Sequence, residues 1–274
     1  MEIKAADVAK LRKMTGAGMM DCKNALVESN GDFDRAQEII REKGKLVAAK
    51  RADRETTEGS VIAITNEAHN KAILVCLGCE TDFVAKNQEF QDVANGIAKV
   101  ALDNMPADLD TLMSLHFEDG TIADAVTRQT GKSGEKHAIP FYNKLEAPYI
   151  SAYIHMNHKV ATIVSFNKAI SPEAGKEIAM QITAMVPVSV NRESCPQEVI
   201  DKEMHIYREQ IRMEGKPEDM VEKIALGKLN KFFKEFTLED QIFVKEGKIT
   251  VKEYLKTVDP QVKVTGFYRY SLND

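Results

Sequence analysis

No window of the sequence approaches the roughly 18 consecutive apolar residues that a membrane helix requires. Residues 1–15 interleave acids, bases and apolar positions from the start, which excludes a spanning or exported chain and leaves no membrane partner to expect. Cysteine is scarce: four in 274 residues are too few for a disulfide scaffold, so free thiols in a reducing compartment are expected. An excess of positive charge is also missing. The 37 Lys and Arg against 42 Asp and Glu leave a net charge of −5, which argues against a nucleic-acid coat and favours a protein partner. With only 15 Gly and 8 Pro, collagen, mucin and bulk disorder are excluded. At about 150 residues per domain, the length suggests two or three modules.

The chain opens with a helical module. Val8, Leu11 and Met14 fall at helical spacing up to Thr15-Gly16, and a second helix follows Asp21 with Cys22, Ala25 and Leu26 as its stripe. Asn30-Gly31 ends that helix, Asp32 caps a third carrying Phe33, Ala36, Ile39 and Ile40, and Gly44 is expected to stop it. Three short helices bury little, so Gly16-Ala17-Gly18-Met19-Met20 is expected to offer a small adaptable apolar surface. Lys43 to Glu58 shows no clear stripe and predicts a solvated connector or straggling helix, with a boundary near residue 56.

From Gly59 the period changes to that of strands, giving a hairpin of Val61–Thr65 and Lys71–Leu77, then a helix from Phe90 to Leu102. The same order returns as Tyr149–Met156, an Asn157-His158 turn, Val160–Phe166 and a helix from Pro172 to Met185. The predicted class is therefore α+β, multidomain, with a strand-strand-helix unit used twice. The two copies differ in one place: Glu80-Thr81-Asp82-Phe83-Val84-Ala85 joins strand to helix in the first, and Asn167-Lys168-Ala169-Ile170 in the second. A shared scaffold does not need that hexapeptide. Between Gln197 and Phe236, heptad-like steps broken at Gly215-Lys216-Pro217 predict a helical hairpin, and Val262 to Leu272 alternates as a closing strand.

Few residues organise chemistry. Gly131-Lys132-Ser133 ends like a phosphate-binding loop, but Val126 stands where that loop needs glycine, and Asn143-Lys144-Leu145-Glu146 lacks the aspartate of a guanine-reading motif. Cys76 and Cys79 have half-zinc spacing without a second pair, and His155 and His158 lack a third ligand, so no metal and no cofactor are expected. No nucleophile elbow or other catalytic signature is present, so the chain is not expected to be an enzyme. The hexapeptide has two readings: Thr81 or Asp82 caps a helix while Phe83 and Val84 enter the core, or an anion and an apolar wedge face a partner.

Leu11-Arg12, Thr15-Gly16-Ala17-Gly18-Met19-Met20-Asp21-Cys22-Lys23 and Cys79 to Asn87 resemble the two signatures of the elongation factor Ts family. Ala48-Ala49-Lys50, Gly215-Lys216-Pro217 and Val264-Thr265-Gly266-Phe267 occur in that family's order too. The resemblance implies a ubiquitin-associated-like three-helix module with connector (1–55), core subdomain N (56–145), and core subdomain C (146–274) bearing an antiparallel coiled-coil hairpin at 197–236. It implies a cytoplasmic guanine-nucleotide exchange factor for elongation factor Tu in translation elongation, bound first to the GDP form and then to the nucleotide-free form. It assigns displacement of the partner's Mg²⁺ to Thr81, Asp82, Phe83 and Val84, and partner contacts to Arg12, Met19, Met20 and His155. Gly78 departs from an asparagine common before Cys79, which is expected to loosen the strand end. Three competing classes remain open on the residues: a ubiquitin-like-partner binder, a small NTPase using Lys132 and Ser133, and a nucleic-acid adaptor using the basic connector.

Overall fold

The side chains of the first hairpin alternate, but both of its faces are buried. The computed structural model describes residues 3–155 and 158–273. In it β1 (Glu58–Thr65) pairs antiparallel with β2 (Lys71–Cys79), which also pairs with β5 (Ala138–Glu146), giving the sheet order β1-β2-β5. Ile62, Ile73, Val75, Leu77 and Cys79 face a helical layer, whereas Val61, Ala63, Ala72, Leu74 and Cys76 face a second sheet. That sheet runs β6 (Tyr149–Ile154), β7 (Val160–Phe166), β8 (Val264–Ser271). Its Ile150, Ala161 and Ile163 meet the first sheet, and Val164, Phe166 and Val264 turn the other way. The period of two in the strands thus builds a four-layer stack, helices on sheet on sheet on helices.

The outer layer over the first sheet contains α4 (Asp82–Ala85), α5 (Gln88–Asn104), α6 (Leu109–Ser114) and α7 (Ile122–Ser133), with a small ribbon of β3 (His116–Phe117) and β4 (Gly120–Thr121). Phe90, Val93, Ile97, Leu112, Ile122 and Val126 form its buried face. Over the second sheet lie α8 (Pro172–Met185) and α11 (Val251–Val258), packed through Ile178, Ile182, Val251 and Leu255. Between them the chain makes α9 (Gln197–Met213) and α10 (Glu218–Phe236), which pack on each other through Met204, Ile211, Val221, Ala225 and Leu229. Arg208 makes two hydrogen bonds to Glu222, and Arg212 holds Glu218 across the same seam.

The N-terminal helices are α1 (Ala5–Thr15), α2 (Met19–Glu28) and α3 (Phe33–Lys50), closed around Leu11, Cys22, Ala25, Leu26 and Ala36. Two expectations need correction here. The second helix starts at Met19 rather than after Asp21, and the third runs straight through Gly44 to Lys50. Gly44 does not stop the helix because it is a crossing point: α3 passes over α7 with Gly44 against Gly131. A Cβ on Gly131 would lie 2.8 Å from the Gly44 Cα, so a larger residue would force the two backbones apart. Burial against a neighbouring helix outweighs glycine's modest helix penalty. The missed elements are β5, the turns and helices of 105–137, and α11.

The seam makes a paired prediction. Gly131→Ala should lower stability by about 1–3 kcal/mol through overpacking. Gly227→Ala, on α10 with no atom within 4 Å of the added carbon, should raise it by about 0.5–1 kcal/mol. Urea midpoints of the two variants check both signs.

Candidate functional site

The strand β2 ends one residue before the segment that distinguishes the two halves of the core. Toward β1 the pairing holds to the last residues, Gly59 opposite Gly78 and Glu58 opposite Cys79, whereas toward β5 the register shifts between Cys76 and Gly78, so the strand end is irregular on one side only. Gly78 has a local reason: a Cβ there would meet Thr56 Oγ1 at 2.6 Å. Thr81 then leaves the strand in an extended conformation and its hydroxyl accepts from the Val84 amide at 3.5 Å, capping the single turn α4. A turn of that length is not stable alone. Its C-terminal end is held by Gln91 Nε2, which donates to the Ala85 carbonyl at 2.5 Å while Gln91 Oε1 accepts from Ser60 Oγ.

The four residues of the turn divide their work. Val84 packs against the core below the first sheet and Ala85 is buried. Phe83 points the other way and is 85% exposed, more than any other aromatic side chain among the described residues. Of the two readings of the hexapeptide, the cap holds for Thr81 and the core holds for Val84, but Phe83 is outside. Leaving an aromatic of this size in water forgoes the burial that ordinarily fixes its place. Beside it, Asp82 is half exposed and takes a 2.7 Å ion pair from Lys86, which holds its carboxyl below the usual carboxylate range. The turn therefore presents an apolar wedge next to a carboxylate that stays ionised.

A polar network behind the turn went unread in the sequence. Glu80 Oε1 accepts from the Lys136 amide at 2.6 Å and from Arg51 at 2.7 Å, and these two donors, the amide first, hold its carboxyl below its ordinary value. Lys136 Nζ donates to the carbonyls of Ala52 and Arg54. Thr81 donates both its amide and its hydroxyl to Glu135. His137 is buried against Phe90, its Nδ1 at 3.0 Å from the Glu135 carbonyl and its Nε2 without a partner. Glu135 and Lys136 lie more than fifty positions from Thr81 and Glu80, which they hold. Three polar residues after a helix carry no signal of that pairing.

The other candidate contacts are all on the surface. Arg12 is exposed, and Met19 and Met20 are 43% and 65% exposed rather than packed into their own bundle. The loop they follow is linked to the helix after the turn: the Lys132 side chain runs across Gly16 and ion-pairs with Glu89, in the first turn of α5. Lys132 thus spans two modules, and Gly131 is occupied by the seam, so no phosphate loop forms there. His155 is exposed at the start of the β6–β7 turn, near the Tyr153 hydroxyl; Met156 and Asn157 of that turn lie outside the described residues. From the same turn Lys159 reaches Glu58 at 2.7 Å. The four cysteines are free and buried, with Cys76 and Cys79 on opposite faces of their sheet and Cys79 pushed up to about 12 by burial. Among the described residues no three potential ligands gather for a metal, and no helix is long and apolar enough to cross a membrane.

Comparison with known proteins gives a consistent result. The family profile described as "Elongation factor TS" matches residues 80–274. Elongation factor Ts of Porphyromonas gingivalis is 48% identical over 274 residues, covering 100% of this chain and 99% of that protein. Elongation factor Ts of Christiangramia forsetii is 46% identical over 273 residues, covering 99% of each. That of Flavobacterium psychrophilum is 45% identical over 272 residues, covering 98% of each.

The buried histidine behind the turn sets a pH dependence. Burial pushes His137 below its ordinary value of 6.5, an effect partly offset by the Glu135 carbonyl and the charges of Glu135 and Glu80. The unfolded chain therefore takes up this proton first as pH falls. The contribution is complete above 6.5 and is lost progressively below it. His137→Asn keeps a donor for the Glu135 carbonyl but cannot titrate, so its urea midpoint should fall less than the parent's between about pH 7.5 and 5.5.

Proposed function

The chain belongs to the elongation factor Ts family, and from that membership we propose that it is a guanine-nucleotide exchange factor in translation elongation. On this reading it binds elongation factor Tu carrying GDP, disturbs the Mg²⁺ and phosphate site, and releases GDP so that GTP can enter. The observation that carries the proposal is Phe83, 85% exposed on a turn whose two ends are tied down. A GTPase holds GDP through backbone amides around the phosphates and through Mg²⁺, whose charge dominates a confined site. Phe83 enters the partner as a wedge and gains there the burial it forgoes in the free chain. Asp82 competes for polar contacts near the metal or its water ligands. Thr81 and Val84 act from inside this chain, one as cap and one as anchor.

The remaining assignments follow the same reading. Residues 1–55 form a ubiquitin-associated-like module whose Arg12, Met19 and Met20 touch the partner's nucleotide domain, while His155 reaches a more distant domain. Residues 56–145 and 146–274 are related core subdomains, with α9 and α10 as a coiled coil. The exchange needs no covalent chemistry, cofactor or nucleic acid from this chain. It also obeys reciprocity: the factor by which the chain weakens GDP binding is the factor by which nucleotide weakens binding of the chain, so GTP entry ejects it. We place this activity in a bacterial-type cytoplasm.

The release of fluorescent GDP from purified elongation factor Tu tests the proposal. The parent chain should accelerate release, and Phe83→Ala or Asp82→Ala should lose about 30-fold or more of that acceleration, the loss typical of an interface hot spot. Their circular dichroism and melting should match the parent, because both side chains face water. Equilibrium dialysis with GDP alone should show no binding by the chain; direct binding would return the NTPase reading to consideration.

A further inference from the structure

We propose that Glu135 is a positioning residue for this site, an inference that rests on the exchange reading of Thr81 to Val84. Phe83 has almost no packing of its own to set its direction. The turn that carries it is one turn long, and its internal cap bond, Val84 amide to Thr81 hydroxyl, is 3.5 Å. What aims the turn is outside it. Glu135 accepts the Thr81 hydroxyl at 2.7 Å on one carboxylate oxygen and the Thr81 amide at 3.1 Å on the other. Two charge-assisted bonds to one residue fix both the position of Thr81 and the rotation of its peptide, and hence the line along which α4 leaves β2. Glu80 is held from the same strip of chain, through the Lys136 amide.

Glu135 is itself held firmly. The helix α7 ends at Gly134 in the left-handed conformation, φ 73°, which turns the chain back. The Glu135 amide donates to Ser133 Oγ at 3.0 Å, and the Glu135 carbonyl faces Nδ1 of buried His137. The His137 amide in turn donates to Thr130 Oγ1. The carboxylate therefore stands on the end of a packed helix and a buried ring rather than on a mobile loop, the arrangement expected of a support for a functional side chain. Glu135 does not touch the partner on this account. It spares Phe83 the ordering cost at insertion, so its loss slows the insertion step and leaves initial docking unchanged.

Two measurements on the full chain test this. In GDP release from elongation factor Tu, Glu135→Ala should lower the maximal rate about tenfold, with the half-saturating concentration within about twofold, since only the wedge step is affected. Glu135→Gln, which keeps one acceptor oxygen, should fall between. Thr81→Val loses the hydroxyl bond to Glu135 and the cap bond from the Val84 amide but keeps the amide bond to Glu135, so it should also slow release, and the double variant should lose less than the two single losses combined, because the hydroxyl contact is shared. Without partner, amide exchange of residues 82–85 should quicken about tenfold in Glu135→Gln, with the two sheets protected as in the parent. Phe83→Ala is the reference. If Phe83→Ala slows release but the Glu135 variants do not, or if Glu135→Ala and Thr81→Val add, the positioning role is overturned while the exchange reading stands. If Phe83→Ala releases GDP at the parent rate, the exchange activity stands, but the assignment of the wedge to Thr81–Val84 falls and the positioning role with it.

Discussion

The contact between the two sheets is the constraint on which the rest of the molecule depends. Val61, Ala63, Ala72, Leu74 and Cys76 on one side and Ile150, Ala161 and Ile163 on the other form an apolar interface with no helix between. Each sheet must then bury its second face as well, which brings α5 and α7 over one and α8 and α11 over the other. Small side chains at the sheet contact, several of them alanine, let the layers approach closely. The strand β2, central in its sheet and buried on both faces, is consequently a fixed rod. Its C-terminal end is where the exposed turn begins.

From that rod the exposed turn takes rigidity it could not generate. A single helical turn has too few bonds to hold a shape, and an exposed phenylalanine has no packing to hold a direction. The structure supplies both from a distance: Gln91 and Glu135 secure the ends of the turn, and Arg51 and Lys136 secure the residue before it. The same charged strip ties down the end of α3 through Ala52 and Arg54. Module linkage and site geometry are thus handled by the same few side chains.

Much of this was legible in the sequence, for identifiable reasons. Strands β1, β2, β6 and β7 stand out as short alternating or apolar runs bounded by turn residues, and helices α5, α8, α9 and α10 carry regular stripes, so local pattern sufficed. The strand β5 did not announce itself because Pro140, Asn143 and Lys144 interrupt its pattern and its partner β2 is distant in sequence. Gly44 misled because backbone propensity is local while the seam with Gly131 is tertiary. The hexapeptide stood out by comparing the two halves of the core, but whether Phe83 lay inside or outside depended on the direction of α4. That direction depends on Glu135 as well as on the packing of Val84 and Ala85, and nothing near Thr81 in the sequence points to Glu135.

The meeting of Gly44 and Gly131 has a mechanical consequence. At that point the two helices meet backbone to backbone, and a side chain on Gly131 would wedge them apart. Around it, Arg41 holds Asp119 at 2.6 Å in an exposed pair, and the largely covered Lys132 holds the exposed Glu89. Salt weakens such pairs over a Debye length of about 8 Å at physiological ionic strength. Of the contacts that hold the N-terminal helices against α7 and α5, the ion pairs therefore weaken as salt rises while the glycine contact does not.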